Sequence, residues 1–457
     1  MSAGPAQRAV AATVATLLWA CGPGGSAVIT VDATHTYQTM TGWEFTGQGG
    51  QDRPAFQLYG DTLIGLAVRD LGLNRIRLEV RSGMEHRRDY WRETLAGRLR
   101  GDEARCARYE TENDNDDPRV IDPGGFHFGE LDRAVEGLVI PMQRLLASRG
   151  ERLVVNVTYV SFMRQCAAGH AWHHQDPDEY AEFALATALH LRDRFGIVPD
   201  YWEVILEPDN TDFWTGTRLG EAMVAAAARF QERGMAIRFV GPSNTSTLRA
   251  LPDFDAMIRV PGVPARLGEF AYHRYKGVST DMLREIGERG RRHGVRTAML
   301  EHIGSGVDDL IEDLTVANVS AWQQFALAFR NNPKDEGSLY YRVDDSDPTH
   351  PIVRPYSRTR LLAQAFRYVR LGAVRLGAVS TGAVSTVAFR NADGRYVVVA
   401  RSHGRARMTV QGLPAGRYGT TWTTRDSSGA AADTAIAANG SLVAEIPGAG
   451  VLTVFGQ

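Results

Sequence analysis

The 457-residue chain lacks several features that would mark a specialised class of protein. Its formal net charge is only −2, so it carries no basic excess that would indicate a nucleic-acid partner. Hydrophobic residues make up 44% and charged residues 23%, values that exclude a disordered chain or a coiled coil. Because α/β barrels exceed the usual domain length, this size predicts one large domain and one small domain.

Long hydrophobic runs are also lacking, since the run near the N-terminus, AVAATVATLLWA, has about 12 residues and is too short to span a membrane. It follows Arg8 and precedes Cys21, which is the order of a secretory signal peptide over residues 1–21. The segment LWAC resembles the lipobox of bacterial lipoproteins, which implies membrane attachment through a lipidated Cys21; cleavage without lipidation is the alternative. We therefore predict an exported bacterial protein that is periplasmic, held at the cell surface or secreted.

Cysteine is scarce, with three residues, and no CxxC or Cys/His spacing indicates zinc. If Cys21 carries lipid, Cys106 and Cys166 are left as a pair in an oxidising compartment, where a disulfide is one interpretation. Two separate buried thiols are the other interpretation, because the sequence does not fix the distance between their Cα atoms.

Short β-rich runs alternate with amphipathic helical stretches over residues 39–370. The clearest helix has Asp176 as N-cap, Pro177 at its first position and a stop at Gly196. This repeat predicts an α/β fold, a (β/α)8 TIM barrel. A doubly wound open sheet is the alternative, but the Gly-rich phosphate turn that usually follows its first strand is missing. The eight predicted strands are YQTMTGWEF, NRIRLEV, RLVVNVTYV, YWEVIL, AIRFVG, LGEFAYH, RTAML and GSLYYRV, with a long helix over residues 307–330 before the last strand.

Two regions do not fit the repeat. Residues 81–126 are far too long for a strand-to-helix loop, so we expect this insertion to form a wall of the substrate cleft. Its run ETENDNDDP is either a site for a hard cation such as calcium or a solvated acidic turn; without the twelve-residue calcium-loop pattern, the turn is favoured. Residues 371–457 have short alternating strands, which predict an all-β sandwich. Residues 22–38 are expected to hold a linker and a strand that pairs with this domain.

The tips of the predicted barrel strands carry the residues for chemistry, because the active sites of such barrels lie at the carboxyl ends of the strands. Glu207 ends the fourth strand and Glu301 the seventh, 301 − 207 = 94 residues apart. Two carboxyl groups facing each other are what glycosidic bond cleavage needs, one to protonate the leaving oxygen and one to attack or stabilise the reacting carbon. The sequence therefore predicts a paired-carboxylate site at the barrel mouth.

The motifs VILEPDN, AYHRY and TAMLEHIG, with YQTMTGWEFTG and NRIRLEV, resemble those of the retaining clan-A glycoside hydrolases, and most closely family 30. That family joins a (β/α)8 barrel to a β-sandwich and acts on β-linked glucans, xylans and galactans. The resemblance implies that Glu207 is the general acid/base and Glu301 the nucleophile. It further implies that Arg77 is the strand-two arginine and that His273 or Tyr275 lies near the nucleophile.

One position departs from the pattern of the clan. Its members usually have Asn immediately before the acid/base, where it contacts the sugar hydroxyl next to the reacting carbon, whereas this chain has Leu206. Either an asparagine elsewhere takes over the contact, the substrate differs at that hydroxyl, or catalysis has been lost. The candidate asparagines are Asn156, Asn210 and Asn244.

The sequence thus predicts a retaining glycosidase that acts on a β-linked poly- or oligosaccharide as a monomer without cofactor. A non-catalytic carbohydrate-binding lipoprotein and a transglycosidase are the alternatives. His170, His173 and His174 suggest a polar cleft wall rather than a metal site. Trp43 and Trp214 are predicted sugar-stacking platforms because both lie at or just beyond strand tips. The full set of predicted substrate-binding residues is Arg77, Trp43, Glu44, Asn156, Asn210, Trp214, His273 and Tyr275.

Overall fold

A computed structural model describes residues 25–162, 166, 173–211, 213–328 and 337–457. The predicted signal segment with Cys21, and His170 of the histidine run, lie outside these residues. The first described strand is β1 (Gly25–Thr39). None of the helices within the described ranges has the length and apolar character needed to cross a bilayer.

Eight parallel strands close into a barrel, as the alternation of strand and helix predicts. Neighbouring strands pair in parallel; Arg75 to Arg81, for example, lie opposite Val154 to Val160. The barrel strands are β2 (Gly42–Thr46), β3 (Arg75–Arg81), β4 (Val154–Val160), β5 (Tyr201–Glu203), β6 (Arg238–Ser246), β7 (Leu267–Lys276), β8 (Arg296–Glu301) and β9 (Val319–Ala326).

The prediction of the eighth strand was wrong. The barrel is closed by β9, which lies within the predicted long helix, and GSLYYRV contributes instead to a separate hairpin of β10 (Tyr341–Asp344) and β11 (Ile352–Pro355). The helical segment ends at Asn318, which adopts a left-handed conformation with φ 59°. Asn just beyond the last helical turn is a stop signal, and the β-branched Val319 follows it.

Helices surround the barrel and connect its strands. The helix predicted from its caps is confirmed, because Asp176 accepts a hydrogen bond from the amide of Asp178 and Gly196 ends the helix at φ 70°. The α-helices are α1 (Phe56–Gly65), α2 (Tyr90–Leu95), α3 (Gly101–Ala107), α4 (Gly129–Ala134), α5 (Ile140–Ala147), α6 (Pro177–Phe195), α7 (Gly216–Glu232), α8 (Thr247–Met257), α9 (Val263–Arg266), α10 (Thr280–His293), α11 (Val307–Glu312) and α12 (Ser357–Phe366).

The C-terminal region forms a nine-stranded sheet around its own core, which fits the predicted β-sandwich. Strand β1 lies within it, antiparallel to β12 and parallel to β15. Its strands are β12 (Val374–Ser380), β13 (Val384–Arg390), β14 (Tyr396–Ser402), β15 (Ala406–Gln411), β16 (Gly416–Thr424), β17 (Ser428–Ile436), β18 (Leu442–Ile446) and β19 (Gly450–Gly456).

The insertion between β3 and α4 is a folded segment that contains α2 and α3. Cys106 of α3 forms a disulfide with Cys166, in the segment after β4, with Cα atoms 5.1 Å apart. Of the two interpretations of the cysteine pair, the structure therefore selects the disulfide. Arg229 of α7 holds the far end of the insertion by donating to the carbonyl of Pro118 at 2.7 Å. The disulfide and Arg229 thus fix two separate places of the insertion to the barrel.

Candidate active site

Glu207 lies just beyond β5, where the chain leaves the barrel wall. Its backbone is left-handed, with φ 53°, a conformation that is costly for a residue other than glycine and is found mainly where the surrounding structure enforces it. Its two carboxylate oxygens have different partners. The amide of Asn210 donates to Oε2 at 2.6 Å, and Nδ1 of His273, on β7, lies 3.1 Å from Oε1.

Glu301 is the last residue of β8 and is almost completely buried. The guanidinium of Arg77, on β3, forms an ion pair with Oε2, and the hydroxyl of Tyr275, on β7, donates to Oε1 at 2.8 Å. Arg77 is itself held by donating to Thr46 at 2.7 Å and to the carbonyl of Leu300 at 3.1 Å. Side chains from two other strands, β3 and β7, therefore fix the carboxylate at the end of β8.

The two glutamates lie close together. One ligand atom each of Glu207, His273 and Glu301 fall within 4.8 Å of one another. Burial and the charge of Glu207 raise the pKa of Glu301, while the positive charges of Arg77 and His273 oppose that shift. Burial alone would lower the pKa of His273, but its hydrogen bond to Glu207 and the charge of Glu301 outweigh it, so this pKa is raised. The cluster therefore stabilises a positive charge on His273 between two acidic groups.

These distances also match the spacing of a metal triad, although no metal was predicted. The donor set is not free for a cation, because the two carboxylates accept hydrogen bonds from Asn210, Tyr275 and Arg77. The fixed positive charge of Arg77 would also repel a metal ion at Glu301. The prediction of a metal-free site remains a prediction.

The structure places the predicted site residues in two groups. Arg77, Asn210, His273 and Tyr275 contact one of the two glutamates, so these four lie in the site. His273 contacts Glu207, whereas Tyr275 contacts Glu301, which separates the two residues that the resemblance left as alternatives for the place beside the nucleophile.

The other four predicted substrate-binding residues are buried and have no described hydrogen bond to either glutamate. For Trp43 and Glu44 the prediction was wrong, because their side chains are engaged elsewhere in the core, whereas for Asn156 and Trp214 it stays a prediction. The Trp43 side chain is 1% exposed, points to the outside of the barrel and stacks on Phe366 with ring centroids 4.3 Å apart. Glu44 is the inward neighbour of Trp43 and forms a fully buried ion pair with Arg75. Successive residues of a strand face opposite sides of the sheet. The sequence therefore assigns Trp43 and Glu44 to the strand, whereas the pleat of the strand sets the side that each of them faces. The buried Asn156 amide donates a hydrogen bond to Glu203 at 3.4 Å. Trp214 packs on Tyr180 with ring centroids 5.6 Å apart.

Leu206, which departs from the family pattern, is 4% exposed and packs with Tyr109 of the insertion and Val160 at the end of β4. The insertion therefore reaches the residue next to Glu207, as expected of a wall of the cleft. Of the three asparagines considered as replacements, Asn210 contacts Glu207. Asn244 donates to Asp253 at 2.9 Å and is buried.

Sequence reasoning missed Gln323, whose amide donates to the carbonyl of Leu300 at 2.6 Å and to Thr46 at 3.3 Å. Thr46 also accepts from Arg77, so Gln323 completes the support behind Glu301. It was missed because β9 was interpreted as a helix. The Asn318 stop followed by Val319 is the signal that locates this strand.

His174 of the histidine run serves the insertion rather than a metal. Its Nε2 lies 2.6 Å from Glu85, at the start of the insertion, and its Nδ1 lies 2.8 Å from the hydroxyl of Tyr159, on β4. All three side chains are buried. Both ring nitrogens of His174 are therefore occupied by protein groups.

Neither family models nor curated proteins give a match to this chain. Several solved structures, in contrast, match the chain over most of its length. A family 30 (GH30) endoxylanase from Clostridium papyrosolvens C71 superposes with TM-score 0.65 at 16% identity, over 95% of this chain and 100% of that one. The catalytic domain of GH30 xylanase C from Talaromyces cellulolyticus gives TM-score 0.65 at 14% identity, over 94% and 100%. The endo-β1,6-glucanase BT3312 gives 0.62 at 16%, over 94% and 93%. The sequence resemblance is therefore confirmed at the level of architecture: this chain has the fold of the family 30 glycoside hydrolases.

Proposed function

We propose that this protein is a retaining glycoside hydrolase that cleaves a β-linked poly- or oligosaccharide. The observation that carries the proposal is the pair of carboxylates, with an oxygen of Glu207 and one of Glu301 within 4.8 Å of each other at the barrel mouth. Retaining enzymes hold their two carboxyl groups about 5 to 5.5 Å apart, whereas inverting enzymes separate them by roughly 6.5 to 9.5 Å to admit a water. The close spacing favours retention.

Glu301 suits the role of nucleophile. Arg77 and Tyr275 hold its carboxylate in one orientation, and the guanidinium charge favours the ionised form against the effect of burial. In the first step an oxygen of Glu301 bonds to the anomeric carbon as the glycosidic bond breaks. The product of this step is a glycosyl ester on Glu301 and a leaving oxygen that needs a proton.

Glu207 suits the role of general acid and base. It is part-buried and sits opposite the nucleophile, and Asn210 and His273 position its two oxygens. In the proposed cycle the Glu207 carboxyl gives its proton to the leaving oxygen. Its carboxylate then takes a proton from the water that attacks the ester, which releases the sugar and restores Glu301.

The substrate and location follow by inference. Two of the similar structures are xylanases and one is an endo-β1,6-glucanase by title, and these name the glycans to test first. The Cys106–Cys166 disulfide supports an oxidising, extracytoplasmic compartment. Membrane attachment through a lipidated Cys21, and a monomeric state, complete the proposal.

The test is a screen of aryl β-glycosides and β-linked polysaccharides with the native protein, Glu301→Gln and Glu207→Gln. We expect Glu301→Gln to lose activity by roughly 10³-fold or more on every substrate. Glu207→Gln should lose far less on an aryl glycoside, because a good leaving group needs no proton, than on a polysaccharide. Proton NMR of the first-formed product should show the same anomer as the substrate. Glu232→Gln, an exposed substitution on α7, is the control.

Three outcomes contradict the proposal. If Glu301→Gln keeps the native activity, Glu301 is not the nucleophile. If the first-formed product has the inverted anomeric configuration, the reaction is not a double displacement. Tight glycan binding by both native protein and Glu301→Gln, with no turnover by either, would instead establish the non-catalytic receptor that Leu206 suggests.

A further inference from the structure

A second group of carboxylates lies away from the catalytic pair, between α6 and the acidic run of the insertion. Glu182, in the middle of α6, is 0% exposed, yet neither of its carboxylate oxygens has a hydrogen-bond partner. Oδ1 of Asp114 and Oδ1 of Asn113, both in the insertion, are likewise buried without a partner. Four buried oxygen atoms without donors lower the stability of the fold, because each loses its hydrogen bonds to water and gains none from the protein.

The charges around Glu182 increase that cost. Three nearby carboxylates act on it through their charge, those of Asp114, Glu85 and Glu179. Glu85 has partners of its own, since it contacts His174 at 2.6 Å and accepts from the amide of Asp114 at 3.2 Å. Glu182, Asp114 and Asn113 remain as oxygen groups with unused acceptors.

The nearest positive charge does not neutralise the group. The Arg229 guanidinium acts on Glu182 only through its charge and donates instead to the carbonyls of Pro118 and Arg119. Among the described residues no side chain pairs with the Glu182 carboxylate. A cation from solution would supply the charge and the coordination that the protein does not.

We propose that Glu182, Asp114 and Asn113 form a binding site for a hard divalent cation, Ca²⁺. The donors are two carboxylates and an amide carbonyl, all oxygen, which is the ligand set that Ca²⁺ prefers, whereas zinc and copper favour sites that include nitrogen or sulfur. Only Glu207, His273 and Glu301 bring three acidic or histidine ligands within 4.8 Å in the described part of the chain. The second site therefore depends on the Asn113 oxygen and on water, as the six-to-eight-coordinate, irregular shell of Ca²⁺ allows and the stricter octahedron of Mg²⁺ does not.

The site joins two parts of the molecule. Glu182 belongs to a barrel helix, whereas Asn113 and Asp114 belong to the insertion that also carries Tyr109, the residue packed on Leu206 beside Glu207. Bound Ca²⁺ would link the insertion to α6, in addition to the disulfide, the Arg229 contact and the contact of Glu85 with His174. It stabilises the cleft wall and takes no part in the chemistry of Glu207 and Glu301.

The experiment measures thermal unfolding of the full chain after treatment with a chelator, then with CaCl₂ or MgCl₂ up to about 10 mM, which exceeds the roughly 10⁻⁴ to 10⁻³ M dissociation constants of extracellular calcium modules. We expect Ca²⁺ to raise the midpoint by several degrees and Mg²⁺ to raise it less. Calorimetric titration should give one Ca²⁺ per chain. Glu182→Gln and Asp114→Asn should lose both signals, whereas Asp116→Asn, an exposed change of equal charge in the same acidic run, should keep them.

Glu182→Gln need not fail to fold, because it removes a charge that is unfavourable without the cation, and its midpoint in chelator should equal or exceed that of the native chain. The proposal is overturned if the native protein shows no Ca²⁺ response, which would mean that Glu182 is buried as a neutral acid. It is equally overturned if Glu182→Gln and Asp114→Asn respond like the native chain, which would place the ion elsewhere. The unfolding midpoint and the Ca²⁺ titration are measured without any activity assay. A failure of this proposal can therefore be distinguished from a failure of the proposed hydrolase function.

Discussion

At the scale of single residues, Leu206, the residue before the proposed acid/base, matches the apolar environment of its side chain. Leu206 is enclosed by Tyr109 and Val160, so the site that would hold an amide in the family is a small apolar cluster here. A polar group in that cluster would lose its hydration without a designed partner. The departure at residue 206 is therefore coupled to the presence of the insertion.

This coupling predicts the result of restoring the asparagine. Leu206→Asn should lower the free energy of unfolding by about 1–3 kcal/mol, because a buried amide replaces packed methyl groups. It should not increase kcat/KM on any substrate of the native enzyme, since Tyr109 still occupies the space. Chemical denaturation and steady-state kinetics test both statements. Leu206→Met, which keeps an apolar side chain, is the matched control, and a gain in activity by Leu206→Asn would contradict the argument.

His273 gives a prediction about pH. Because its pKa is raised in the folded protein by Glu207 and Glu301, protonated His273 stabilises the fold. That contribution is fully present below the unfolded value of about 6.5 and is lost as the pH rises through the raised folded value. The stability difference between native protein and His273→Gln should therefore be largest near pH 5.5 and smaller near pH 9. Urea unfolding at both values measures it.

The control for this pH dependence is His350→Gln, because the His350 side chain is largely exposed. Its effect should be small at both pH values. A difference for His273→Gln that is constant with pH would show that only packing was lost.

At the scale of elements, the insertion is held to the barrel by bonds between distant parts of the chain. The Cys106–Cys166 disulfide closes a sequence separation of 60 residues. Such a bond stabilises mainly by restricting the unfolded chain, and removing one typically costs about 2–4 kcal/mol. Its loss should affect α2, α3 and the cleft wall before the barrel strands.

Replacing both Cys106 and Cys166 with Ser should therefore lower the unfolding midpoint and make residues 81–126 the first site of cleavage in limited proteolysis. Mass spectrometry of the fragments identifies the cut. The native protein under reducing conditions is a second test, since it should match the double variant. Cleavage that begins in the sandwich, with the insertion intact, would contradict this prediction.

At the scale of the whole molecule, the sandwich has a core of its own and also packs one set of its buried side chains into the core of the barrel. Val387, Phe389 and Val451 of the sandwich belong to the same buried cluster as the barrel side chains. Between the two parts, the amide of Gln38, on β1, donates to the carbonyl of Val319, on β9, at 3.0 Å, and the Gln364 amide donates to Thr423 at 2.8 Å. Two parts joined by a continuous apolar core are expected to unfold together.

Calorimetry should accordingly show one unfolding transition. Phe389→Ala should move that whole transition to lower temperature, with a loss of about 3–5 kcal/mol that is typical of a buried Phe. Val379→Ala, an exposed position on β12, should have little effect. Two separate transitions, with Phe389→Ala shifting only one of them, would show that the parts are independent.

Much of this fold can be predicted from local patterns. Seven of the eight barrel strands, the capped helix α6 and the two glutamates at strand tips follow from residue type and spacing, because caps, β-branched runs and strand ends are short-range signals. The eighth strand was missed since a run such as VSAWQQFA is ambiguous between a buried helix and a strand.

The sequence by itself determined that Glu207 and Glu301 follow barrel strands at their carboxyl ends, since that depends on where each of these strands stops. Only the tertiary structure decided which residues meet. The direction of Trp43 follows from the pleat, the disulfide from the path of the insertion, and the contact of Arg77 with Glu301 from barrel closure across 224 residues. The proximity of Glu182 to Asp114 of the acidic run is of the same kind. Local chemistry sets the elements, whereas contacts between distant segments depend on how all the elements pack at once.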